Sequence, residues 1–151
     1  MNLDLVGKAI MENFGFYMMY VVEGIFVLLL IYAGGLSYKF PMNYQTALEY
    51  IAPEGKYFGT LLRYPHFSSK RALSTKEAWD FAQKTYGKYL LIFAAIQAII
   101  GVFWHQIAEL AINFTKWSEA GMVIIICPII VFFLMANILT EIKLKKLKLE
   151  K

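Results

Sequence analysis

Three long blocks of apolar residues constrain the fold of this chain more than any other feature of its sequence. They cover residues 16–36, 89–108 and 121–140, and the only Asp, Glu, Lys or Arg residue within them is Glu23. A helix of about 20 mostly apolar residues is long enough to cross the hydrocarbon core of a bilayer. Because backbone amides and carbonyls find no water there, they must bond to one another within the segment. Each block is therefore predicted to be a transmembrane helix.

The composition of the chain agrees with this assignment. Of the 151 residues, 59% are hydrophobic and 17% are charged, whereas a soluble domain has about 45–50% apolar and about 25% charged residues. The lone Cys127 excludes a disulfide framework, and the apolar excess excludes a disordered chain. The predicted fold class is all-α, an integral membrane bundle of three transmembrane helices in a single domain over residues 1–151.

The first block is predicted to be a retained membrane anchor rather than a secretory signal peptide. The residues ahead of it include Asp4, Lys8 and Glu12, so they lack the required positive bias. The block is also longer than the apolar region of about 7–15 residues that a signal peptide has.

The distribution of basic residues indicates the orientation of the helices. Eight lie between the first and second blocks and five follow the third, whereas one precedes the first block and one lies between the second and third. Three crossings place residues 37–88 and the tail of residues 141–151 on the same side, which the positive-inside rule assigns to the cytoplasm. The N-terminus and residues 109–120 are then outside. The predicted location is the cell membrane, with several crossings and a cytoplasmic C-terminus.

The net charge of +4 is better explained by this orientation than by nucleic acid, which is not an expected partner. The tail alternates Lys with Leu and Ile, a pattern that suits a helix end on an anionic inner leaflet. Anionic lipids are therefore the first expected partner. A toxin peptide, a cytoplasmic regulator and a second copy of the chain remain open as others.

Two further helices are predicted in the loop of residues 37–88. Asn43 is placed to cap a short helix that runs to Ile51. Ser74 and Glu77 have the spacing of a capping box, so a longer helix is predicted to begin near Thr75 and to continue into the second membrane block.

The first turns of the longer helix are amphipathic. One face carries Trp79, Ala82 and Tyr86, and the opposite face carries most of the charged residues, Lys76, Asp80, Lys84 and Lys88. This pattern predicts a cytoplasmic amphipathic helix at the membrane interface, directly before the second transmembrane helix. Gly87 permits either a bend or a close contact with another helix.

The same region resembles the signature of the SdpI/YhfL family of bacterial membrane proteins, R-T-x-x-[S/T]-[L/M]-K-x-x-x-x-W-x-x-A-[N/H]-[R/K]-x-x-G-[K/R]. Six residues fall on its positions: Leu73, Trp79, Ala82, Lys84, Gly87 and Lys88. Gln83 takes the Asn/His position, and residues 40–43 are similar to the Pro-x-Asn sequence that follows the family's preceding helix. The Arg-Thr pair of the family falls on Ser68-Ser69, with Arg71 nearby. The resemblance covers roughly residues 28–108, and residues 44–67 look like an insertion.

The resemblance implies a membrane helix bundle and a non-enzymatic role. The best-known member confers immunity to a membrane-active toxin peptide and signals its presence by holding a repressor at the membrane. The function expected from the resemblance is immunity to such a peptide, or sensing of it. Two alternatives from other classes are a small accessory subunit of a larger membrane complex and a proton-linked transport component that uses Glu23.

Chemistry that needs clustered ligands or nucleophiles is not expected. The chain contains two histidines and one cysteine, His66, His105 and Cys127, and the predicted topology separates them. The sequence has no Ser-x-x-Lys, G-x-S-x-G or Walker-type glycine loop. No catalytic residue, metal site or cofactor is therefore predicted.

Polar residues within the membrane blocks are the remaining candidates for function. A charge at the depth of Glu23 costs at least about 2.5 kcal/mol, so Glu23 is expected to face the bundle and either to pair or to be protonated. Gln97, near the middle of the second block, is its expected hydrogen-bond partner. The full set of candidate binding residues is Glu23, Gln97, Arg71, Trp79, Gln83, Lys84, Gly87 and Lys88. Two interpretations stay open for the pair, a site for a peptide, lipid or proton and a polar contact that joins helices. Trp79 is either an interfacial anchor or part of a docking surface.

Overall fold

A computed structural model describes the backbone of residues 3–50, 66–112 and 117–149. Within these ranges the chain forms four α-helices, which are α1 (Leu3–Lys39), α2 (Tyr44–Tyr50), α3 (Lys76–Ile112) and α4 (Trp117–Leu149). A short 3₁₀ turn, Ala72–Ser74, precedes α3. No strand occurs in the described ranges, and the predicted all-α fold is confirmed.

Three of the helices are long and apolar enough to cross a membrane. The spanning segments are Tyr17–Lys39 in α1, Lys76–Phe103 in α3 and Ile125–Leu147 in α4. The chain is therefore a multi-pass membrane protein. Each helix extends beyond its apolar block, and α3 joins the predicted amphipathic helix to the second block without a break.

The central helix of the bundle is α3, which packs along both α1 and α4, whereas α1 and α4 have much less contact with each other. Its buried side chains recur every three or four residues and include Trp79, Tyr86, Leu90, Phe93 and Gln97. This spacing keeps one stripe of an α-helix facing its neighbours. Large apolar side chains on the outward faces of all three helices are exposed, as lipid contact requires.

The helices α1 and α3 cross in backbone contact at a pair of glycines. A Cβ atom built on Gly87 would lie 2.6 Å from the carbonyl oxygen of Gly34 and 2.7 Å from the amide nitrogen of Tyr38. Of the two roles predicted for Gly87, the structure shows the close helix contact. Because the hydrophobic effect does not drive helices together within lipid, transmembrane helices use small residues for close packing in this way.

Aromatic stacking joins α3 to α4, and a buried hydroxyl group of α4 is satisfied within its own helix. The rings of Phe93 and Phe132 stack with centroids 4.9 Å apart and planes 3° from parallel. The Thr140 hydroxyl, fully buried, donates to the carbonyl oxygen of Ala136 at 2.7 Å. Pro128 lies inside α4, which continues through it.

Helix capping confirms one prediction and corrects another. The Asn43 side-chain oxygen accepts from the amide of Gln45 at 3.1 Å, as expected of the residue before α2; the predicted end at Ile51 lies outside the described residues. The predicted capping box at Ser74 is wrong. Thr75 caps α3 instead, because its hydroxyl oxygen accepts from the amide of Ala78 at 3.1 Å, while the Ser74 hydroxyl donates to the carbonyl of Arg71.

Candidate functional site

Glu23 of α1 and Gln97 of α3 form a buried polar pair in the apolar bundle. The Gln97 side-chain nitrogen Nε2 donates to Glu23 Oε2 at 3.0 Å and to the carbonyl oxygen of Ile125 in α4 at 3.2 Å. Glu23 is 5% exposed and Gln97 is fully buried. The predicted hydrogen bond between them is thus confirmed. Because Gln97 also reaches α4, this one side chain connects all three spanning helices.

The other oxygen of each side chain in the polar pair has no partner among the described residues. Glu23 Oε1 and Gln97 Oε1 are both buried acceptors without a hydrogen-bond donor. Each such buried group costs free energy of about 1–3 kcal/mol unless something satisfies it. A hydrogen-bond donor at these two oxygens would therefore stabilise the polar pair.

Gly101 provides the space that Glu23 occupies. A Cβ atom built on Gly101, one turn after Gln97 on α3, would lie 2.6 Å from Glu23 Oε1. The Glu23 carboxyl group thus fills the place of a side chain at position 101. The spacing of four residues between Gln97 and Gly101 puts both on one helix face. Gly101 was not among the predicted site residues, because those within the membrane blocks were chosen for their polar side chains.

Trp79 holds the chain between α1 and α2 against the start of α3. Its indole Nε1 donates to the carbonyl oxygen of Met42 at 2.7 Å, and its ring lies 6.0 Å from that of His66. The side chain is fully buried. Trp79 therefore packs inside the chain, and its ring presents no surface to lipid or to a partner.

Gln83 fixes the segment that precedes α3, residues 66–74, here termed the folded-back segment. Its Oε1 accepts from the Phe67 amide at 3.0 Å, and its Nε2 donates to the Phe67 carbonyl at 2.6 Å. This bidentate contact satisfies both backbone groups of Phe67 in a buried position. Tyr44 adds a further contact, because its hydroxyl donates to the Leu73 carbonyl at 2.9 Å.

The folded-back segment and the C-terminal part of α4 lie at the same end of the bundle. Arg71 and Glu141 form an ion pair there, and the Lys143 ammonium lies 5.5 Å from the centre of the Tyr89 ring. This end of the bundle is termed the basic end. The described end of the first loop and the C-terminal part of α4 are thus in contact, as the predicted topology requires.

The remaining candidate residues take separate positions. Lys84 and Lys88 are exposed on α3 near the basic end, whereas Gly87 is buried in the contact with α1. The polar pair lies further along the bundle, because Gln97 is nine residues beyond Lys88 on α3, about 13 Å at 1.5 Å per residue. The eight candidates therefore form two clusters, the polar pair and the basic end.

Among the described residues, no three His, Cys, Asp or Glu side chains come together in a group that could hold a metal ion. His66 is buried beside Trp79, and Cys127 is exposed on α4. The backbone of His105 belongs to α3, and its side chain lies outside the described part of the structure.

Comparison with protein-family models, with curated proteins and with solved structures finds no match to this chain.

Proposed function

We propose that this chain is a non-enzymatic protein of the cell membrane that binds a membrane-active peptide and protects against it or senses it. The observation that carries the proposal is the basic end, where the positions shared with the SdpI/YhfL signature meet. Trp79 and Gln83 bind the backbone at Met42 and Phe67. Two of the side chains at signature positions on α3 thus hold the loop against the helix.

This arrangement suits recognition at the membrane surface. The folded-back segment is fixed over the first turns of α3, and Lys84 and Lys88 are exposed on the same turns. A peptide that inserts into the bilayer would meet lipid-facing apolar helices and the exposed ammonium groups of Lys84 and Lys88. Lysines at helix ends also extend to anionic headgroups. In the absence of a peptide, the basic end is therefore proposed to bind the lipids of the inner leaflet.

The basic end is proposed to face the cytoplasm, with the N-terminus outside. We expect a membrane-impermeant maleimide to label Lys70→Cys and Lys146→Cys only after the cells are permeabilised, and Thr115→Cys in intact cells, all in a Cys127→Ser background. The reason is the excess of basic residues at the basic end. Labelling of position 70 or 146 from outside intact cells would show that the orientation is opposite to the one proposed.

The peptide-binding proposal predicts protection of living cells. A susceptible bacterium that expresses the chain should survive higher doses of at least one peptide from a panel of cationic, neutral and anionic permeabilising peptides than cells with an empty vector. Lys84→Gln combined with Lys88→Gln should reduce this protection, because it removes the exposed charges and leaves the buried contacts intact.

Lys145→Gln is the matched control, since it removes an exposed lysine from α4 at the same end of the bundle. Membrane abundance of every variant is compared by immunoblot. Survival equal to the empty vector across the whole panel would overturn the proposal. Equal protection by the double lysine variant and the wild type would remove Lys84 and Lys88 from the binding surface.

An accessory subunit is the second candidate, and the outward face of α1 favours it. Val21, Leu28 and Tyr32 are all more than half exposed, so this face is available for contact with another membrane protein. Gentle extraction followed by intact-complex mass spectrometry separates the two roles. A constant partner in fixed stoichiometry, with no change in the survival of cells treated with peptide, would favour the accessory subunit.

A further inference from the structure

Each side chain of the polar pair has one oxygen atom that no hydrogen-bond donor of the pair can reach. The amide group of Gln97 has two N–H hydrogens, and both are used, on Glu23 Oε2 and on the Ile125 carbonyl. Reversing the amide would place its oxygen against these two oxygens. The contact with Ile125 therefore fixes the amide orientation, and Gln97 has no donor left for Glu23 Oε1.

The unpartnered atoms are an oxygen of a carboxyl group and an oxygen of an amide that already share one hydrogen bond. In a carboxylic acid paired with a primary amide, the amide N–H binds the acid carbonyl and the acid O–H binds the amide oxygen. One proton on Glu23 Oε1 would therefore turn it into a donor to Gln97 Oε1. Both unmet acceptors would be satisfied in one step.

Packing at the polar pair favours a proton over any larger donor. The Glu23 carboxyl group fills the space beside Gly101, where even a methyl group would lie 2.6 Å from Oε1. A metal cation with its ligands, or the amide of a bound peptide, needs volume that the close approach to α3 does not provide. A proton adds no volume.

We infer that Glu23 and Gln97 form a one-proton binding site, in which Glu23 is a neutral carboxylic acid joined to Gln97 by two hydrogen bonds. The proton binds at Glu23 Oε1, and its release leaves a carboxylate with one donor in a buried position. An ionised group within the membrane is energetically costly unless it is paired. The protonated pair therefore holds α1 against α3, and deprotonation loosens that contact. This inference does not depend on peptide binding.

Other titratable groups on the surrounding helices define the alternatives to be tested. On α1, Tyr20 and Tyr17 lie three and six residues before Glu23, Tyr32 lies nine residues after it, and Glu12 lies eleven residues before it. On α3, His105 and Glu109 follow Gly101 by one and two turns. On α4, no residue between Ile125 and Thr140 carries an acidic or basic side chain apart from Cys127, which is exposed. His105 is thus the one residue of α3 with a basic side chain within two turns of Gly101 in the sequence.

Infrared difference spectroscopy of the full chain in liposomes tests the inference. The wild type is expected to show a carbonyl band of a buried carboxylic acid that Glu23→Gln removes and His105→Gln leaves in place. Gly101→Ala should shift or abolish the band, because it displaces the carboxyl group, whereas Gly24→Ala, with open space around it, should not. If the wild type and Glu23→Gln gave identical spectra in the region of the carboxylic acid carbonyl band, the inference would be overturned, since Glu23 would then be ionised.

Thermal stability gives a second, independent measurement. Glu23→Gln should keep the wild-type melting temperature near neutral pH, because two amides form the same pair of hydrogen bonds. We expect the wild type to lose stability at alkaline pH, where Glu23 releases its proton, and Glu23→Gln to lack this loss. Glu23→Ala should melt at a lower temperature. A marked loss of stability in Glu23→Gln, or stability of the wild type that depends on added Na⁺ or K⁺, would contradict a proton as the ligand.

Discussion

Replacement of Trp79 by alanine is expected to destabilise the protein by about 3–5 kcal/mol, as do other truncations of large buried aromatic side chains. The indole is fully buried beside His66, and its N–H satisfies the Met42 carbonyl. Alanine would leave both a cavity and an unpaired carbonyl. Unfolding of the purified protein in detergent, followed by circular dichroism, measures the change in free energy.

Two further variants separate the cavity from the lost hydrogen bond. Trp79→Phe keeps most of the volume but no N–H, so it should lose only about 1–3 kcal/mol, the usual effect of a buried unpaired acceptor. Phe103→Ala removes an aromatic ring of α3 that is half exposed and should have a small effect. Similar losses for Trp79→Ala and Phe103→Ala would show that the indole does not hold the fold together.

The three long helices were predictable because the bilayer sets a simple length requirement. Any apolar block of about 20 residues must bond its backbone internally, and the three blocks lie within α1, α3 and α4. Helix ends were harder to predict, because neighbouring hydroxyl residues compete for the same role. Ser74 and Thr75 both suit a cap by type, and only the backbone turn at Ala72–Ser74 decides between them.

The polar pair was predictable in part. The free energy of burying Glu23 requires a polar partner, and Gln97 is the polar side chain near the centre of the second block, so the hydrogen bond followed from depth alone. The contacts with Ile125 and Gly101 did not. They depend on how each helix is rotated about its own axis, which the apolar blocks do not determine, since these are apolar on nearly every face.

The role of Gln83 could not be derived from the sequence. Its partner is the backbone of Phe67, in a segment of irregular structure with no periodicity to place it. The similarity to the family signature marked Gln83 and Trp79 as important residues but not as groups that bind the chain's own backbone. That finding needed three-dimensional positions.

The second large effect is expected at Gly87, where alanine should destabilise the protein by about 3 kcal/mol, the upper part of the range for overpacking. The added Cβ would lie 2.6 Å from the Gly34 carbonyl oxygen and 2.7 Å from the Tyr38 amide nitrogen. Both are backbone atoms within a helix, so no side-chain rotation relieves the clash. The helices must separate, which also weakens the burial of Leu90 one turn further along.

Gly35→Ala is the matched control for Gly87→Ala, because Gly35 lies beside Gly34 on α1 with no atom within 4 Å of a Cβ built there. It should leave stability unchanged or raise it slightly, since alanine favours a helix over glycine. Denaturation of both variants in the same detergent gives the comparison. Equal stability of Gly87→Ala and Gly35→Ala would mean that α1 and α3 do not cross at these glycines.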